Sequence, residues 1–449
     1  MSSDLPTLPD GWIYSPLESC CQKNSITYGV VQPGAALSEG KPIIRVNNFR
    51  DTHIDVSEVM YIAPEIEAKY GRTRLQGGEV LLTVVGSVGQ VAVVPKHFAG
   101  FNVARAVAVI HPLQHVAPEW IALCLRSPLS QHLLGSQANT TVQTTINLKD
   151  LRALPIPLPP ERERQTIARV VAALDDRITL LRETNATLEA IAQALFNSWF
   201  VDFDPVRAKQ AGRAPEGMDE ATAALFPDSF EESELGLVPK RWRVANIGFI
   251  ADVIDCLHAK KPDLIESGKP FLQLNNIRDD GLLDSGKQAF ISEQDYIKWT
   301  TRIEVIGGDC VITNVGRVGA VSQVPSEFKA AMGRNMTAIR LKPSYPYPTY
   351  LIELLLSPWM KAEIDNKTDI GTILNALNVK SIPRLRCVIG NTFVMDAFES
   401  LARPLRAAME KNLERSQTLA TLRDTLLPRL ISGQLRLPEA ETRIAEALS

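Results

Sequence analysis

Stepping 4, 3, 4, 3 from Ile167 meets Val171, Leu174, Ile178, Leu181, Asn185, Leu188, Ala192, Leu195 and Trp199, a heptad seam with one polar residue in it. The same stepping recurs 227 residues on, through Val394, Phe398, Leu401, Leu405, Ala408, Asn412, Arg415, Leu419, Leu422 and Leu426, with asparagine again at the matching position. A helix of that length is a rod of about 60 Å, longer than a compact domain needs for its own core. Each rod therefore wants a partner, and the nearest candidate is the other copy. Asparagine on an apolar seam costs stability and fixes register. Either Asn185 faces Asn412 across an antiparallel pair, or each touches water where the rods splay. Pro404 lies inside the second rod, where its missing N–H is expected to bend the helix.

The rods belong to a larger duplication. Pro9-x-x-Trp12 returns as Pro239-x-x-Trp242, and Arg45-Val-Asn-Asn-Phe-Arg-Asp51 as Gln273-Leu-Asn-Asn-Ile-Arg-Asp279. The segment Gly77–Pro95 aligns without a gap on Gly307–Pro325, both carrying Val-Gly-x-Val-Gly. A period near 230 residues means a doubled domain, not a solenoid. Val, Ile and Thr around each Gly-x-x-Gly read as two strands joined by a glycine turn. Pro118–Leu134 and Pro348–Ile364 carry helical spacing after a proline suited to a helix start. Each copy is thus a mixed α/β globule followed by a rod. Residues 201–240, with Pro205, Pro215 and Pro227, form a connector whose four Lys/Arg against nine Asp/Glu leave it at −5.

Across 449 residues, 45% hydrophobic and 22% charged content describes an ordinary globular protein with room for two or three domains. No apolar run spans a bilayer and the N-terminus lacks a signal-peptide pattern, so no membrane and a cytoplasmic location are expected. The six cysteines show no Cys-x-x-Cys pairing and no histidine spacing suited to zinc, so no metal is expected and the thiols are read as reduced. The net charge of −3 sits in the connector, and residues 241–390 are +3, so the overall sign does not argue against DNA.

No catalytic constellation stands out. The Gly86-x-x-Gly89 and Gly316-x-x-Gly319 turns lack the Gly-Lys-Ser/Thr of a phosphate loop. Asp204-Pro205-Val206-Arg207 lacks the second proline and the aromatic of an adenine methyltransferase motif. What does recur is polar residues suited to base edges and phosphates, on loops beside strands. Asn47, Asn48 and Arg50, with Arg45 before them, form one such group, and the first three correspond to Asn275, Asn276 and Arg278; Asn and Arg make bidentate contacts with adenine and guanine. Because both copies keep the Asn-Asn pair, it is read as turn chemistry. The positions that differ are better readers of different sequences: Lys260 and Lys261 against Gln32 and Pro33, Asn314 and Arg317 against Val84 and Ser87, Arg334 and Asn335 against Val103 and Ala104. Arg105 lies next to the last pair. Thr141, Gln143 and Thr372 sit on polar loops before the rods, where phosphate contact is expected.

Pro155-Ile-Pro-Leu-Pro-Pro160 before Glu161-Arg-Glu-Arg-Gln165, Leu195-Phe-Asn-Ser-Trp-Phe-Val-Asp-Phe-Asp-Pro205 and Leu422-Arg-Asp-Thr-Leu-Leu-Pro-Arg-Leu-Ile-Ser-Gly433, with the duplication, make the chain resemble the specificity (S) subunit of a type I restriction–modification system. The resemblance covers nearly the whole chain. It implies two duplicated target recognition domains, each reading one half of a split asymmetric DNA site, separated by two long helices forming an antiparallel coiled coil. The boundaries are 1–158 and 241–390 for the domains, 159–200 and 391–432 for the family's central and distal conserved helices, 201–240 for the connector and 433–449 for a tail. It also implies docking of two methyltransferase (M) subunits and association with endonuclease (R) subunits. S-adenosylmethionine, ATP and Mg then belong to those partners, with no cofactor in this chain, which is non-catalytic by itself. The competing readings are a stand-alone DNA methyltransferase or nuclease, and a coiled-coil scaffold without nucleic acid. The second copy departs from the pattern at Arg384–Gly390, where the first has its proline-rich segment.

Overall fold

The computed structural model describes residues 5–50, 53–136, 145–369, 371 and 375–448. It divides into two compact units, Met1–Ile178 with Thr418–Ser449, and Thr179–Gln417. Each unit holds a mixed α/β domain and a stretch of both long helices, Glu161–Phe200 and Thr392–Ile431. The boundaries of the compact units therefore fall within the helices, not at their ends.

In the first unit, Val80–Thr83 pairs antiparallel with Val91–Val93 on one side and Val107–Ile110 on the other. Strand side chains alternate between faces, and here both faces are covered. Val80, Leu82, Ala108 and Ile110 pack with Trp120 and Ile121, while Leu81, Val107 and Val109 pack with Phe49 and Phe98. The second unit repeats this with Cys310–Thr313 between Val321–Gln323 and Met336–Leu341. The helical stretch after each sheet is two helices, Pro118–Arg126 then Pro128–Ser136, and Pro348–Leu356 then Pro358–Asn366. The break follows from proline, which pushes the residue before it out of helical ψ. Ser127 and Ser357 sit there at ψ 148 and 145, and Ser357 Oγ accepts from Met360 N at 3.2 Å, capping the next helix.

The departure at Arg384–Gly390 leaves the architecture unchanged. Pro155–Leu158 pairs antiparallel with Ile13–Pro16, and Arg386–Ile389 pairs in the same way with Arg243–Asn246. Trp120 Nε1 donates to the carbonyl of Pro157 at 2.9 Å, and Tyr350 Oη to that of Val388 at 2.6 Å. Different sequences thus fill one role, closing each domain immediately before its long helix. Residues 201–240 are also folded: Asp204–Gln210 is helical, Phe230–Ser233 pairs with Gly236–Pro239, and Phe203, Phe226 and Val238 join the core of the second unit.

The first long helix buries Ile167, Val171, Leu174, Ile178, Leu181 and Ala192, with Asn185 and Leu188 half-buried. On the second helix the expected seam needs correction. Phe398, Leu419 and Leu426 turn inward, with Leu405 and Asn412 half-buried, but the residues between are Ala402, Met409 and Ser416, not Leu401, Ala408 and Arg415. Leu401 is 49% exposed whereas Ala402 is fully buried. A 3-4 repeat fixes alternate positions and lets the intervening one be reached in three residues or in four. The facing helix decides. Phe398 meets Phe196, Trp199 and Phe200 at ring distances of 6.0, 5.9 and 5.1 Å, and rings of that size leave room only for a small neighbour such as Ala402. Pro404 does not break the helix; it faces solvent, where the carbonyl it leaves unpaired can meet water.

In the second unit Asn412 Nδ2 donates to Asn185 Oδ1 at 2.9 Å, and Asn185 Nδ2 to the carbonyl of Met409 at 2.9 Å. Deeper in the same unit, fully buried Glu353 faces Arg406, with Oε1 3.5 Å from Nε. Burial pushes the Glu353 carboxyl above its usual range, and Arg406 pulls it back. Arg406 Nη1 also donates to the carbonyl of Asp280 at 3.0 Å, and next to it Gly281 has φ +75 and no room for a side chain, since a Cβ there would lie 2.4 Å from Arg406 Nη2. Removing one partner of a buried pair strands the other charge, at a cost of about 3–5 kcal/mol. Arg406→Met should therefore destabilise the chain by that order in urea unfolding. Arg406→Met combined with Glu353→Leu should recover most of the loss, and additive losses would show that the pair does not act as a unit.

Candidate nucleic-acid interface

Each domain presents a 3-10 turn, Val46–Asn48 and Leu274–Asn276. Its last residue is buried and holds the turn together. Asn48 Oδ1 accepts from Arg45 N at 2.9 Å and its Nδ2 donates to the carbonyl of Asp55 at 2.9 Å. Asn276 does the same with Gln273 N at 2.8 Å and the carbonyls of Asp284 and Lys287 at 2.9 and 3.0 Å. The residue before it, Asn47 or Asn275, is exposed. Within the Asn-Asn pair, then, the second asparagine builds the turn and the first is presented by it.

A second turn lies beside the first. Ala104 N donates to the carbonyl of Ile44 and Gly333 N to that of Leu272, at 2.8 and 2.9 Å; Val84 N and Asn314 N donate to the carbonyls of Ala106 and Asn335, both at 2.8 Å. These bonds equate Ala104 with Gly333, Arg105 with Arg334 and Ala106 with Asn335. The sequence alignment of Arg334 and Asn335 with Val103 and Ala104 is corrected by two residues. An exposed arginine thus stands at the same point of both domains. The recurring apolar-x-Arg-x-apolar pattern, Val103 to Val107 and Met332 to Met336, carried that signal. Asn335 adopts φ +64, a left-handed conformation that asparagine tolerates better than most residues.

Between the two turns each domain has an open depression. In the first it is lined by Arg45, Asn47, Arg50, Ser87, Gln90 and the alanines flanking Arg105. In the second it is lined by Lys261, Gln273, Asn275, Arg334, Asn335 and Trp299. Gln90, Gln273 and Trp299 were not singled out from sequence, since nothing in their spacing marks them. Arg50 is exposed, with Nη1 on the carbonyl of Asn47 at 3.0 Å, and Arg45 Nε is buried with no hydrogen-bond partner.

Other candidates stand apart from this grouping. Asn314 is buried, its Nδ2 on Thr337 Oγ1 at 2.7 Å, so its side chain is not presented as a reader; it sits in line with the buried strand Cys310–Thr313. Arg317 donates to the carbonyl of Ile277 at 3.0 Å and pairs with Asp279, and Arg278 is clamped on Asp280 with Nε to Oδ1 at 3.0 Å. Lys260 is exposed beside Lys261. Thr141, Gln143 and Thr372 lie outside the described residues.

Comparison with known proteins points one way. The family model of the type I restriction modification DNA specificity domain matches residues 17–190. The chain is 32% identical over 169 residues to the type I restriction enzyme EcoBI specificity subunit of Escherichia coli, covering 37% of this chain and 35% of that protein. It is 25% identical over 371 residues to the MjaIX specificity subunit of Methanocaldococcus jannaschii, covering 81% and 78%. In fold it is similar to the S subunit of a type I restriction–modification system from M. genitalium, with a TM-score of 0.55 at 16% identity over 96% of this chain and 97% of that one.

The two asparagines of each turn should separate in experiment. Asn276→Ala removes bonds to three backbone groups and should cost roughly 1–3 kcal/mol of stability, seen as a lower unfolding midpoint. Asn275→Ala should leave that midpoint within about 0.5 kcal/mol of the parent.

Proposed function

We propose that the chain is a DNA specificity subunit of a type I restriction–modification system, a reading supported by the family model over residues 17–190 and by the similar specificity subunits, and that each of its domains binds one half of a bipartite, asymmetric double-stranded DNA site. Methyltransferase subunits dock on the long helices, and endonuclease subunits join that core. The observation that carries this reading is the depression built twice on one backbone frame with different linings, Arg45, Arg50 and Ser87 in one domain and Gln273, Lys261 and Asn335 in the other. A shared frame with divergent polar groups is what two different half-sites require.

Within each half-site the two turns have distinct tasks. Arg105 and Arg334 extend from equivalent points, where a guanidinium fork suits the O6 and N7 acceptors of guanine. Asn47 and Asn275 present amides suited to adenine, and Lys260 and Lys261 suit phosphates. This chain supplies recognition and no chemical step. S-adenosylmethionine, ATP and Mg act on the partner subunits. The glycine hairpins support that division, since Gly86 and Gly316 sit in strand-to-strand turns, with Thr83 Oγ1 and Thr313 Oγ1 closing them onto the carbonyls of Ser87 and Arg317. A phosphate-binding loop would instead lead into a helix N-terminus.

Exchange of residues 13–150 for the corresponding region of another such subunit should alter one half of the methylated site, read by methylome sequencing of cells carrying the complete system. Alteration of both halves would refute modular readout. In the assembled complex, Arg334→Ala should cost about 1–3 kcal/mol of DNA affinity and relax one base position. Lys261→Ala should weaken all sequences alike and lower the salt slope by about one.

A further inference from the structure

The sequence shows no zinc spacing, yet among the described residues the fold brings one trio of metal-ligating side chains together. A carboxylate oxygen of Asp255, Sγ of Cys256 and a ring nitrogen of His258 all lie within 4.8 Å of one another. Asp255 ends the strand Ala251–Asp255, paired with Thr337, and the chain then leaves the sheet so that three donors converge within four residues. Asp255 Oδ2 is 2.7 Å from His258 Nε2, while its Oδ1 is buried and has no hydrogen-bond partner.

We propose that Asp255, Cys256 and His258 form a binding site for a borderline-soft divalent cation of the zinc class, with water as fourth ligand. Mixed oxygen, sulfur and imidazole donors select such a cation over magnesium or calcium, which take oxygen ligands. Tetrahedral zinc places its ligand atoms roughly 3.3–3.8 Å apart. The trio, with separations from 2.7 Å up to 4.8 Å, brackets that range and needs only side-chain adjustment to meet it. His258 is 63% exposed, and its position leaves a path for the ion. Cys256 is buried, which pushes its thiol up; the Asp255 carboxylate raises it further, and the backbone N–H groups of Met336 and Asn335 offset this only in part. Arg302 pairs with the cluster at 3.7 Å from Asp255 Oδ2 and donates to the carbonyl of Cys256 at 3.0 Å, so Oδ1 is the carboxylate oxygen left open.

The first domain serves as an internal comparison. Tyr28 pairs with Ala108 where Asp255 pairs with Thr337, so the counterparts of Asp255, Cys256 and His258 are Tyr28, Gly29 and Val31. None of these is a metal ligand of this class, and the site belongs to the second domain alone. There it sits under the turn that carries Arg334 and Asn335 and just before Lys260 and Lys261. A bound cation would hold those loops to the sheet. The inference rests on side-chain geometry and stands whether or not the depression reads DNA.

The test is titration of the full-length chain, stripped with chelator, first with Co²⁺ and then with Zn²⁺. One equivalent of Co²⁺ should produce a thiolate-to-cobalt charge-transfer band, release protons on binding and be displaced by Zn²⁺. Cys256→Ser should abolish the band. His258→Ala, which leaves the core intact, should weaken Co²⁺ binding by more than about tenfold. A parent chain with no band, a band that survives Cys256→Ser, or unchanged affinity in His258→Ala would each overturn the site.

Discussion

A pair of asparagines decides how the two long helices meet, and the remaining structure depends on that meeting. An apolar heptad seam tolerates a slip of seven residues, because leucine then faces leucine as before. Asn185 and Asn412 do not tolerate it. In the observed register the Asn412 amide reaches Asn185 Oδ1, and the Asn185 amide reaches the carbonyl of Met409. Slipping one helix would bring each asparagine against an apolar side chain and leave amides unpartnered, at roughly 1–3 kcal/mol each. The apolar residues make the pairing stable, and the polar pair makes it single-valued.

Each domain is then joined to its stretch of the helices by charge, with opposite signs. In the first unit Arg126 of the domain and Arg423 of the second helix share Asp175 of the first helix, at 3.6 and 2.7 Å. In the second unit the domain supplies the acid, Glu353, and the second helix the base, Arg406.

Much of this was legible in the sequence, wherever a pattern repeats with a period. The duplication, the glycine hairpins and the seam of the first helix follow from spacing alone. The second seam was misread at Leu401 because hydropathy favours leucine over Ala402, while the choice was made by Phe196, Trp199 and Phe200 on the other helix. The candidate site was legible in part. Arg45, Asn47, Arg50 and Ser87 do share one depression, but Asn314 continues a buried strand, a fact set by the sheet it joins. The correspondence of Arg105 with Arg334 depends on backbone bonds to Ile44 and Leu272, which no ungapped alignment contains.

That correspondence shows how such a domain can change what it presents without changing its frame. Asn48 and Asn276 are bound to backbone on every side, so substitution there unfolds a turn. One position earlier, the exposed Asn47 and Asn275 are held in place by that turn and bear none of its load. The same holds at the second turn, where backbone bonds from Ala104 and Gly333 fix the path and the next side chain, Arg105 or Arg334, is left to solvent. Structural residues and presented residues alternate along one short stretch of chain. Substitution at the presented positions is therefore nearly free of folding cost, which is the physical condition for two copies of one domain to diverge in what they present while keeping one backbone frame.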